Sequence, residues 1–125
     1  MQHDNLMRKI EQFIQAMIAV VLRRKEGKHK EAVELIQTAC RFYLNIELST
    51  LLTFTPEQMA DHFRNTQKCV MCADLLYELA LVSEGQNQRE AARQLKNSCL
   101  YLYRTAIPLE PRHEEKLALL TAELQ

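Results

Sequence analysis

Glycine occurs twice and proline three times in this chain of 125 residues, so neither a turn-rich β fold nor a glycine-lined phosphate loop has the residues it needs. Charge of one sign is missing as well. Sixteen basic and sixteen acidic side chains cancel, so no net field draws the chain to nucleic acid or to an anionic membrane. The one apolar stretch that invites a membrane reading, Phe13 to Leu22 interrupted by Gln15, is far shorter than the roughly 20 residues of a spanning helix. It ends in Arg23-Arg24-Lys25, not in the small residues of a cleavage site, and reads as part of the fold. The four cysteines, Cys40, Cys69, Cys72 and Cys99, fall inside helix-like segments. That placement argues against a secreted disulfide framework and fits a reducing cytoplasm.

What remains is dominated by Ala, Leu, Gln, Glu, Lys and Arg, the composition of long helices on short loops. Leu6, Ile10, Phe13, Ile14, Met17, Ile18 and Val21 step by three and four, predicting a first helix over about 4–25. Its C-terminal half is apolar nearly all round, as in the middle of a bundle or at a subunit interface. Gly27 stops it. A second helix follows over about 30–47, with Ala32, Ile36, Ala39, Cys40 and Tyr43 on one stripe. Residues 49–54 form a connection, and Thr55-Pro56-Glu57-Gln58 is a capping box with proline at the first helical position. The polar run Arg64 to Lys68 predicts a break near Asn65, with Thr66 placed to cap a fresh helix that continues to Gly85. Another helix runs from about Gln88 to Ile107, with Ala91, Leu95, Cys99, Leu102 and Ala106 inward, and Pro108 ends it. Pro111 opens a last short helix, 113–124, whose Leu117, Leu120 and Leu124 can cap an exposed end of the bundle.

Sliding the chain on itself by 59 residues places Glu31-Ala32 on Glu90-Ala91, Ile36 on Leu95, Cys40 on Cys99 and Phe42 on Tyr101. Such a match describes two copies of one helical hairpin. The segment Gly27-Lys28-His29-Lys30-Glu31-Ala32-Val33, followed by Ile36 and Ala39, resembles tetratricopeptide-like helical hairpins. In the second copy, Gly85 to Ala91 carries one residue too many, and Tyr103, Ala106 and Pro111 match in a different register. The resemblance covers roughly Ile14 to Pro111. It implies an all-α fold of two tetratricopeptide-like antiparallel hairpins (about 4–48 and 66–107), a connection with a short helix (49–65), and a C-terminal capping helix (111–124) within one domain. It also implies a scaffold that holds a peptide or another protein in a concave groove. Met7 to Phe13 and Lys68 to Glu78 further resemble a small bacterial family known as a domain of unknown function, which implies no activity.

Chemistry-bearing residues are sparse. Cys69 and Cys72 form a CxxC, and in a continuous helix His62 lies on nearly the same face; Cys99 or Cys40 completes a tetrahedral zinc site or a redox sensor. Against it, zinc-binding CxxC pairs usually sit on turns, and cysteine is among the most buried residue types, so core packing is the preferred reading. Arg23 to Lys30 could meet a phosphate or an RNA backbone, but Glu26, Glu31 and Glu34 dilute the patch and no aromatic interleaves to stack on a base. Asp74 with Glu78, and Glu110 with Glu114, read as solvated helix-face pairs. No His or Asp is placed to activate Ser83, Ser98 or a thiol, so no catalytic residue, cofactor or enzyme activity is expected. The expected function is therefore contact with another protein, with Phe13, Met17, Val21, Tyr43, Tyr77, Tyr101 and Tyr103 as anchors, or with a second copy of the chain through the first helix.

Overall fold

The computed structural model describes residues 2–125, with side chains from residue 5 onward. Seven α-helices account for most of it, and no strand occurs among the described residues. The chain is all-α, as the sequence requires. Helix α1 (Gln2–Lys25) and helix α2 (His29–Ala39) pack as the first hairpin. Their turn is a Schellman motif: Gly27 N–H donates to the Arg24 carbonyl at 3.0 Å and Lys28 N–H to the Arg23 carbonyl at 2.9 Å. Gly27 supplies the positive φ, +76°, that this turn requires. A π-helical turn, Cys40–Leu44, extends α2, and Asn45 ends it in the left-handed region, three residues or so before the predicted end.

A short helix α3 (Leu48–Leu51) falls where a plain connection was expected, and it lays Leu48 and Leu51 into the core. Helix α4 (Pro56–Phe63) starts on the predicted capping box. Gln58 N–H donates to Thr55 Oγ1 at 3.1 Å, and Thr55 N–H donates to Gln58 Oε1 at 2.8 Å. The break near residue 65 is real: Arg64 takes φ +49°, and helix α5 (Thr66–Gly85) begins afresh. Its cap is Asn65, not Thr66, with Lys68 N–H donating to Asn65 Oδ1 at 3.0 Å.

Helix α5 is the centre of the molecule, buried on almost every side from Cys69 to Ser83. It packs against helix α6 (Arg89–Thr105) as the second hairpin, and also against α1, α2 and α4. The all-round apolar segment of α1 does not take this place; Ile18 and Leu22 stay about half exposed on its outer face. Helix α7 (Pro111–Glu123) then packs on α6.

The second turn corrects the repeat register. Asn87, at φ +62°, repeats the role of Gly27: its N–H donates to the Glu84 carbonyl at 3.0 Å, and Gln88 N–H to the Ser83 carbonyl at 2.9 Å. The two hairpins therefore superpose with Gly27 on Asn87 and Ala32 on Ala92, one residue beyond the sequence alignment. Ala92 is buried accordingly and Ala91 is exposed, the reverse of the expected assignment. Gly85 is needed for a different reason. A Cβ there would come within 2.7 Å of Cε1 of the His29 ring, which lies against it.

In this register Lys96 occupies the inward position that Ile36 holds in the first hairpin, and it is 4 % exposed. Its ammonium donates to Glu84 at 2.7 Å and to Glu123 of α7 at 2.5 Å, so the buried cation is paired.

Candidate functional site

Helices α1 and α7 stand on either side of α5 with an open cleft of about 250 Å³ between them. Its α1 wall presents Ile14, Met17, Ile18, Val21 and Leu22, a stripe at helical spacing that the described residues leave half buried to exposed. The opposite wall is cationic, Arg112 and Lys116 of α7, and Lys25 closes one end. The floor carries the carboxylates of Asp74 and Glu78. A second cavity of about 210 Å³ adjoins it, where Ile10 and Phe13 meet the first turns of α5 and α7; Phe13, Asp74 and Arg112 belong to both.

The floor is a fixed electrostatic device. Asp74 is 5 % exposed and accepts from three groups: the Tyr103 hydroxyl, His113 Nε2 at 3.2 Å and Lys116 Nζ at 3.5 Å. Burial alone would push the Asp74 carboxyl up. The His113 hydrogen bond, the Lys116 ammonium and the Tyr103 hydroxyl outweigh it and hold the group below the usual carboxylate value. Tyr103 moves the other way, because burial and the adjacent Asp74 charge both disfavour its phenolate. One turn on, Glu78 is also 5 % exposed and accepts from Arg24 Nε of α1 at 2.8 Å. Asp74 thus ties α6 and α7 to α5, while Glu78 ties α1 to it.

These contacts overturn the reading of Asp74 and Glu78 as a solvated pair. The signal was present: two acids interrupt an otherwise apolar run from Val70 to Val82, and a carboxylate inside such a run needs a buried partner. Glu110 is exposed and sits at the N-cap position of α7, with Glu114 exposed in the first turn.

Of the expected anchors, Met17 and Val21 line the cleft and stay half buried. Phe13 lines it too but is 3 % exposed, its ring packed edge-on against Tyr43 at 5.3 Å. Tyr77 lies beside the cleft with the Lys116 ammonium 5.0 Å over its ring. Tyr43 and Tyr101 are half buried and line neither of these cavities. Tyr103 is fully buried and its hydroxyl serves Asp74, so it is not a contact anchor. Sequence reasoning missed Arg112, His113 and Lys116, and met Arg24 only as part of the basic stretch.

Cys40, Cys69 and Cys99 lie near enough to Cys72 for their charge to bear on its thiol, but the proposed metal ligands do not form a site. His62 is exposed on α4 and packs against Phe54, while Cys69, Cys72, Cys99 and Cys40 are all buried. Among the described residues no group of three or more His, Cys, Asp or Glu is arranged to hold a metal ion. Burial raises all four thiols, Cys40 to about 11, and Cys99 Sγ–H donates to the Ala73 carbonyl at 3.3 Å. An uncharged buried thiol is inert. In a thiol titration at pH 8 the native protein should therefore leave its four cysteines unreacted over minutes and release them together in denaturant. A fast-reacting Cys69 or Cys72 would overturn this. In the basic stretch, Arg23 pairs with Glu26 at 3.4 Å and Glu31 at 3.9 Å, and Arg24 turns inward to Glu78, while Lys25 and Lys30 make no ion pair among the described residues.

Among the described residues no helix is long and apolar enough to cross a membrane. No protein-family model matches the chain, and neither does any curated protein or solved structure with which it was compared.

Proposed function

We propose that this protein is a non-catalytic interaction module of tetratricopeptide-like hairpins that holds a segment of another protein in the cleft between α1 and α7. The observation that carries the reading is the uncovered apolar stripe on α1 facing two cations across a floor of fixed charge. Apolar surface gives affinity and a few placed charges give orientation, which is what a recognition groove needs. The tetratricopeptide resemblance supports it, since that family binds in a concave groove and α1, α5 and α7 lie side by side around this cleft.

A photo-crosslinking residue in place of Ile18, half exposed on the cleft wall, tests the reading against the same residue in place of Phe42, which is exposed on the π-helical turn after α2 and does not line the cleft. In cells of the natural source the Ile18 position should yield a discrete adduct that Met17→Arg abolishes while the helical spectrum is kept. Equal adducts from both positions, adducts indifferent to Met17→Arg, or none at all would overturn it.

A further inference from the structure

We infer that the occupant of this cleft is an acidic amphipathic helix. The inference rests on the cleft being a recognition groove, as proposed above, and adds what it recognises. Ile14, Met17, Ile18, Val21 and Leu22 repeat at the three- and four-residue steps by which one helix presents ridges to another. The cleft follows α1 from Phe13 to its last residue, Lys25, and so runs roughly 18 Å at ~1.5 Å per residue. That length suits about three turns of helix.

Charge selects the sign of the partner. The two acids of the floor are already matched, Glu78 by Arg24 and Asp74 by Lys116 with His113 and Tyr103. Lys25 makes no ion pair among the described residues, and Arg112 pairs only with exposed Glu110 at 3.4 Å, a contact worth little. The rim therefore offers surplus positive charge from Arg112 at one end and Lys25 at the other. A partner helix with an apolar stripe and acids near its two ends completes both.

The same charge argues against a second copy of this chain. The stripe of α1 from Ile14 to Leu22 carries no acid, and the end it runs into, Arg23 to Lys25, is basic, while Arg8 and Lys9 at the other end are balanced by Asp4 and Glu11. A second copy seated by this stripe therefore brings no carboxylate from it to Lys25 or Arg112.

The probe is a synthetic amphipathic helix of about 14 residues, long enough to span the cleft, with Leu at helical spacing and Glu at both ends. Its twin carries Lys in place of Glu. Anisotropy titration of the full chain should show the Glu peptide binding about tenfold tighter than the Lys twin, with the difference shrinking as salt rises. Lys25→Glu with Arg112→Glu, both on exposed side chains, should reverse the preference. Equal or tighter binding of the Lys twin to the wild type would overturn the acidic partner and leave the groove reading intact. Failure of both peptides alongside a specific Ile18 crosslink would do the same; failure of both with no crosslink would overturn both readings. Concentration-dependent self-association abolished by Ile18→Glu would assign the cleft to a second copy and overturn this inference.

Discussion

Replacing Asp74 with Ala should lower the stability of the native chain by about 3–5 kcal/mol, the loss typical when one member of a buried charged network is removed. Three groups lose their acceptor at once: the Tyr103 hydroxyl, His113 Nε2 and Lys116 Nζ, the first two within nearly fully buried side chains. Asp74→Asn keeps one acceptor oxygen and the shape, so its loss should be smaller, and Tyr103→Phe smaller again because the charged partners survive. The defect should concentrate in α7, which the network holds to α5, so hydrogen exchange should show α7 amides losing protection first. The pH dependence has a fixed sign. The Asp74 carboxyl is held below its ordinary value in the native state, so its contribution is complete above the unfolded value and is lost as pH falls through the folded one. The wild type should therefore lose in acid a stability increment that Asp74→Asn lacks, and denaturant titrations of both proteins from pH 7 downward measure it. Parallel curves for the two would remove Asp74 from the account of acid stability.

Local chemistry was legible where a residue answers to its own neighbours in sequence. The Thr55 capping box, the left-handed Gly27 and the break after Phe63 each depend on a few consecutive residues, and each stands where the pattern puts it. The register of α6 was not legible, because periodicity assigns apolar residues inward and a lysine outward. Lys96 reverses this: its inward position is stabilised by Glu84 and Glu123, one in the preceding helix and one in the last. A stripe drawn on apolar residues alone puts Ala91 and Leu95 on the buried edge and slips the repeat by one residue. Asn87 hid the error further, since Gly85 looked like the counterpart of Gly27 while serving instead as the space for the His29 ring. The cleft follows the same logic. Its apolar wall could be read from α1, whereas Asp74 and Glu78 acquire meaning only from Arg24, His113 and Lys116, all distant in the chain.

Removing Arg24 should cost about 2–3 kcal/mol, somewhat below the loss for a fully buried pair because its side chain keeps 21 % exposure. The cost belongs mainly to Glu78, whose carboxylate would be left 5 % exposed without its cation. That attribution makes a sharper statement than the single variant can. If the unpaired charge is the penalty, then removing both charges removes it: Arg24→Met with Glu78→Leu should recover most of the loss and unfold within about 1 kcal/mol of the wild type, since apolar replacement of a buried pair is often neutral or better. Urea denaturation of the wild type, both single variants and the double variant closes the cycle, and strong coupling between the two sites is the expected result. Additive losses would mean that Arg24 acts through its packing on α5 instead. A stable double variant would also separate stability from recognition, because it keeps the stripe from Ile14 to Leu22 and the rim cations Lys25 and Arg112. Such a protein should still prefer the acidic helix over its lysine twin, and the floor pair would then be a brace between α1 and α5 and not a contact for the partner.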